Sequence, residues 1–233
     1  METRSGLTSR APTRGSLRGG EASLGLGLAL LTSLGALGVA YLLGRGGQVS
    51  LPLFLGFTLF QEASLLCIAL ALARGRGASW EALGLRPPLR RGYMLWAVLA
   101  PFAIFGITLL YTLGVQRLGS PDLLPPPTPP VLREAEGVEA ILAVGIVVVL
   151  APLAEEVFFR GFLLTALSPR FRRGGALVLS SAFFALLHGQ VGLMVPVFFA
   201  GLILGALFLQ SGSLAVPFTA HALQNALAYA FGR

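Results

Sequence analysis

The sequence has no lysine, one cysteine, one aspartate and two histidines. Charge of any kind is scarce: 12% of the 233 residues are charged, against about 25% in an ordinary soluble domain. A soluble domain of this length needs charge to cover its surface, so that class is excluded. Disorder of the whole chain is excluded too, because it requires low hydrophobicity, whereas 55% of positions are hydrophobic and mean hydropathy is +0.80. The lone cysteine, Cys67, lies inside an apolar run, which leaves no disulfide framework. The lone aspartate, Asp122, lies in a proline-rich stretch, so an aspartyl dyad is impossible. No His-Glu-x-x-His is present, which removes the zincin type of intramembrane protease.

What is present is a succession of long apolar runs. Short alternating strands would signal a transmembrane barrel, and they are missing, so the class is an all-α, polytopic membrane helical bundle. A spanning helix needs about 20 apolar residues, and the chain divides into about seven: 22–43, 51–73, 93–115, 138–167, 176–190, 191–210 and 214–231. Residues 1–21 read as a basic, disordered cytoplasmic tail, and 22–137 as N-terminal transmembrane helices with a proline-rich loop. That loop, Pro121 to Pro130, carries six prolines and cannot be a helix interior. Pro152 is expected to kink the fourth run and Gly189 to end the fifth.

All 17 cations are arginines, for a formal charge of +7. They cluster in loops between apolar runs, as topology signals and lipid-headgroup partners, rather than forming a nucleic-acid patch. Assigned to alternate sides, twelve fall on the side of the N-terminus and four on the other. The positive-inside rule therefore predicts a cytoplasmic N-terminus. The seventeenth, Arg160, is in no loop. Lysine-free, arginine-, alanine- and proline-heavy usage fits a GC-rich genome, and the expected location is a prokaryotic plasma membrane.

An ionisable side chain in hydrocarbon is costly unless paired or hydrated, so such groups are functional candidates. Apart from Glu62 they concentrate in the last third. The fourth run holds Glu155, Glu156 and Arg160, the fifth Phe184 and His188, and the seventh His221, Gln224 and Asn225. One buried histidine is ordinarily a hydrogen-bonded core residue, but both histidines with two glutamates and an arginine are more than packing requires. Arg160 follows Glu156 by four residues and shares its helix face, which predicts a buried, supporting ion pair. Glu155 is turned about 100° away and is left as the free carboxylate, suited to a general base. His221 and Asn225, also four apart, present two hydrogen-bonding groups on one face, as an oxyanion hole requires. Counting at 1.5 Å per residue puts Glu155 and His188 roughly 20 Å from the arginine-rich fourth loop, which predicts one site approached from that side. Ser211 and Ser213 sit in a loop-like stretch and match a serine nucleophile weakly. A water-activating glutamate with a His/Asn oxyanion pair fits amide hydrolysis.

Glu155-Glu156-x-x-x-Arg160, Phe184-x-x-x-His188 and His221-x-x-x-Asn225, in that order, resemble the three motifs of the CAAX-protease and bacteriocin-processing (CPBP) intramembrane proteases. That family includes the Ras-converting-enzyme type of CAAX prenyl endopeptidase. The resemblance covers 138–231, read as the catalytic helices. It implies that Glu155 activates water with His188, that His221 and Asn225 stabilise the oxyanion, and that Glu156, Arg160 and Phe184 support them. No cofactor is then required; zinc on His188, His221 and Glu155 is the alternative. The expected partners are the lipid bilayer and a peptide or membrane-protein substrate of lipidated or leader type, with no nucleic acid. The rival readings are a non-catalytic bacteriocin-immunity or scaffold protein, and an ion-coupled transporter, against which the absence of an internal repeat counts.

Overall fold

The computed structural model describes residues 17–43 and 50–232, except for the side chains of 40–43. Arg4, Arg10, Arg14, Arg45 and Arg233, all used in the orientation argument, lie outside the described residues, as does the tail through residue 16. The described residues are helical and loop structure with no strand. Three long helices come first: α1 (Gly19–Leu43), α2 (Leu51–Gly75) and α3 (Tyr93–Arg117). The proline-rich loop follows and contains two short turns, a 3-10 turn Pro121–Leu123 and α4 (Pro130–Arg133). In each a proline occupies the first turn, where its missing N–H is harmless.

The fourth run is a composite rod: α5 (Gly137–Val144), a π-helical stretch Gly145–Leu150, α6 (Ala151–Glu155), a second π-helical stretch Glu156–Leu164, and the first part of α7 (Thr165–Leu187). The α7 helix breaks at Arg172, whose φ of 57° is positive. That break separates the fourth run from the fifth. The last two helices are α8 (Val191–Ser211) and α9 (Ala215–Phe231). Among the described residues seven long helical rods result, and five segments are by length and composition able to cross a membrane. One of those five is the 51-residue Gly137–Leu187, which holds the Arg172 break.

Residues 17–21, read from the sequence as part of a disordered tail, are ordered. Leu17 and Glu21 are buried, α1 starts at Gly19, and Glu21 both accepts the Arg18 backbone N–H and pairs with Arg76 at the end of α2. A carboxylate in the first turn suits the positive end of the helix dipole, and Arg76 fixes it there. At the same end the loop after α2 is laced to the α8–α9 turn, Arg86 Nε donating to the Gly212 carbonyl at 2.7 Å and Leu214 N–H to Gly84 at 2.8 Å. Arg18, Arg74, Arg76, Arg86, Arg90, Arg91, Arg170, Arg172 and Arg173 therefore share one end of the bundle. Arg117 and Arg133 lie at the other.

The second π-helical stretch is the axis of the bundle. All nine of its residues are buried, and Phe158, Phe159 and Phe162 join Phe184 of α7 and Phe208 of α8 in the main core. The α7–α8 pair is packed especially closely. Gly201 and Gly205, four residues apart on α8, leave no room for a side chain: a Cβ at Gly201 would come within 2.9 Å of Ser181, and one at Gly205 within 2.4 Å of Leu177. Small residues at this spacing let two backbones approach where lipid offers no hydrophobic drive. The close approach also delivers the Gly201 carbonyl to Arg160.

Candidate active site

Glu156 and Arg160 meet as the spacing predicts. Arg160 Nη1 donates to Glu156 Oε1 at 2.9 Å, and both side chains are essentially sealed from solvent, at 2% and 0% exposure. The guanidinium is held further by the Phe184 ring, 4.3 Å from its carbon, and by the Gly201 carbonyl at 3.5 Å from Nη2. A second donor reaches the same glutamate oxygen from α9: His221 Nδ1 lies 2.9 Å from Glu156 Oε1. The carboxylate can only accept, so the proton on that ring nitrogen is fixed and the Nε2 edge is turned outward.

That outward edge meets the other glutamate. His221 Nε2 lies 3.5 Å from Oε2 of Glu155, whose side chain keeps 15% exposure. The two adjacent glutamates are thus not isolated from each other as a regular helix face would have them; one imidazole spans both. Their environments still differ. Glu156 is anchored and dry; Glu155 makes no salt bridge to an arginine among the described residues and retains access to the outside.

Phe184 joins the two histidines. Its ring centre is 4.8 Å from that of His188 and 5.9 Å from that of His221, both edge-on. His188 Nδ1 donates to the Phe184 carbonyl at 2.8 Å, which leaves Nε2 as an acceptor in the neutral ring. His188 is placed by the end of its helix: Gly189, at φ +68°, stops α7 in the left-handed conformation that glycine adopts freely. The fifth helix is short, so a residue about 20 Å along it has already reached its far end. The cavity that His188 lines, about 600 Å³ in volume, consequently reaches the α7–α8 turn at the arginine-poor end, not the arginine-rich loops. The expected approach from the arginine-rich side is corrected accordingly.

Asn225 is on the same helix as His221 but makes a separate bond. The Ala151 N–H bonds Ile146, five residues back, so in that register the carbonyl of Val147 faces Pro152, which has no N–H. Asn225 Nδ2 donates to the Val147 carbonyl at 2.9 Å. The contact ties α9 to the π-helical turn ahead of the glutamates and leaves the second amide hydrogen for other work. Pro152 is thus accommodated by a widened turn and a borrowed donor.

One further group had no place in the motif reading. Glu62 of α2 is buried, lines the His188 cavity, and lies close enough to Glu155 to interact with it electrostatically. Its one sequence signal is that it is the sole Asp, Glu, Arg or His away from a helix end in α1, α2 and α3, among the described residues. Among the described residues no three His, Cys, Asp or Glu side chains gather as a group that could hold a metal ion. Of the zinc set entertained above, His221 Nε2 and Glu155 lie 3.5 Å apart.

Comparison with known families bears on the same stretch of chain. The family model described as Rce1-like, type II CAAX prenyl endopeptidase, matches residues 137–227. Over that stretch, 91 of the 233 residues, the chain is similar to this family. The match runs from the start of α5 into α9 and includes Glu155, Glu156, Arg160, Phe184, His188, His221 and Asn225, in agreement with the resemblance read from the motifs. The apolar helices, five of whose segments are long and apolar enough to cross a membrane, support an integral membrane protein. Glu62 and all of α1–α3 lie outside the matched stretch. Searches of curated proteins and of solved structures give no match.

Proposed function

We propose that the protein is a glutamate-dependent intramembrane endopeptidase. The observation that carries this reading is His221 between two glutamates, 2.9 Å from Glu156 and 3.5 Å from Glu155. Glu155 takes a proton from water as its oxygen attacks the scissile carbonyl. His188, with Nε2 as acceptor, orients that water from the cavity side. Glu156 holds His221 by its far nitrogen, as the acidic member of a catalytic triad holds its histidine. In its doubly protonated form His221 offers an N–H from Nε2 to the oxyanion, together with the free amide hydrogen of Asn225. Arg160 and Phe184 keep Glu156 and both rings in register. The substrate is a peptide or membrane-protein terminus of CAAX-like or leader type, delivered from the bilayer.

The test is cleavage of an internally quenched, prenylated CAAX-type peptide, and of its unprenylated form, by full-length protein in detergent. Turnover is expected to persist after chelation and elemental confirmation that metal is gone, because the base, the water-orienting group and the oxyanion donors are all protein groups. Activity that vanished with the metal and returned with zinc would transfer the histidines to ligand roles.

The orientation that goes with this reading has the N-terminus in the cytoplasm and the His188 cavity directed at the outer end of the bundle. It rests on the arginine asymmetry. In a Cys67→Ala background, an impermeant thiol reagent applied outside intact cells is expected to label Asp122→Cys and not Arg90→Cys, both positions being exposed. The reverse pattern would invert the orientation.

A further inference from the structure

Glu62 is 6% exposed, its Oε2 has no hydrogen-bond partner, and among the described residues it makes no salt bridge to a cation. Its carboxyl group shares the wall of the His188 cavity with Gln61 and Gln190. The charged neighbour it senses is Glu155. A buried carboxylate with no cation and a second carboxylate beside it is an expensive arrangement. Two carboxyl groups so placed are accommodated by holding a proton between them, one acting as acid and the other as base. A carboxyl group that keeps its proton is a hydrogen-bond donor into the cavity.

Amide hydrolysis moves two protons. Water loses one when it attacks, and the departing nitrogen must gain one, since an amide anion is too poor a leaving group. Glu155 is engaged by His221 on one side; Glu62 faces the cavity in which a peptide would lie beside His188. We propose that Glu62 is the general acid that protonates the leaving amine, a role that rests on the endopeptidase reading with Glu155 as base. As the water oxygen bonds to the carbonyl carbon, its proton passes to Glu155. As the C–N bond breaks, the Glu62 proton goes to nitrogen. Glu62 is then a carboxylate beside a protonated Glu155, and transfer of that proton from Glu155 to Glu62 restores both groups. One water is consumed, and one carboxylic acid and one amine are released.

The experiment compares two probes on full-length protein in detergent: the quenched CAAX-type peptide, and the same peptide with an ester at the scissile bond. Glu62→Gln preserves shape and a donor but has no proton to give. Amide turnover is expected to fall by about 10²–10³-fold, within the range for loss of a general acid. The ester, whose leaving oxygen depends far less on protonation, is expected to lose less than about tenfold on the same reasoning. Glu62→Asp is expected to recover part of the amide rate. Equal losses on amide and ester would overturn the proposal, because a merely structural role slows both alike. A second readout needs no substrate: the infrared carbonyl band of a protonated carboxyl should be present in the wild type and reduced in Glu62→Gln. If wild type cleaves its peptides and that band does not change, the role of Glu62 fails alone. If wild type cleaves neither probe, the endopeptidase reading fails and this proposal falls with it.

Discussion

Glu155→Gln is expected to remove proteolysis, lowering turnover by about 10²–10⁴-fold, the usual worth of a general base, while the protein elutes and melts as wild type does. The separation of those two readouts follows from the site. Glu155 makes no hydrogen bond that anchors the fold; its close polar neighbour is His221 Nε2 at 3.5 Å. Glutamine has the same shape and offers that nitrogen a comparable partner. Nothing that holds the bundle together is lost, and the only group able to take a proton from water in this position is. Quenched-peptide turnover and a thermal melt in detergent check both halves. Near-normal turnover would mean the base is elsewhere, with Glu62 the first alternative. Lost turnover with a collapsed melt would instead make Glu155 part of the scaffold.

The bundle was legible because membrane helices advertise themselves: a run of about 20 apolar residues has few other structures open to it. Arg160 against Glu156 was legible for a similar reason, being local and four residues apart. What escaped the sequence is long-range or depends on helix irregularity. The bond from His221 to Glu156 joins residues 65 apart, and no periodicity in either segment signals it. Face-counting on a regular helix turned Glu155 away from Glu156, yet the chain leaves the α register at Glu156 and one imidazole serves both. Pro152 was the visible warning, since a proline inside a buried helix must strand a carbonyl; the donor that resolves it, Asn225, comes from the far end of the chain. Asn225 therefore has a structural bond in addition to the oxyanion role assigned from spacing. Glu62 was visible as an isolated charge in an apolar run, but its neighbours were not, because α2 approaches the glutamate rod only in the folded bundle.

Breaking the Glu156–Arg160 pair from either side is expected to destabilise the protein by roughly 3–5 kcal/mol, the cost of stranding one buried charge. Arg160→Met leaves the Glu156 carboxylate in the core, accepting from His221 alone, with its other oxygen already lacking a partner. Glu156→Gln leaves the guanidinium facing a neutral amide, with the Phe184 and Phe159 rings, a long contact to the Gly201 carbonyl and the more distant Glu155 to offset its charge. Removing both charges strands neither. The double variant Glu156→Gln/Arg160→Met is therefore expected to melt above either single variant, and a double-mutant cycle on detergent-solubilised protein reads the coupling directly. Activity should follow a different order. The double variant recovers stability but has lost the carboxylate that fixes the His221 proton on Nδ1, so it should remain well below wild-type turnover. That divergence separates the two tasks of Glu156: holding Arg160 in the core and orienting His221 toward Glu155. A double variant less stable than both singles would show that the pair is not coupled as its 2.9 Å geometry indicates. A double variant restored in both stability and turnover would confine Glu156 to the scaffold and leave His221 to be oriented by its packing against Phe184.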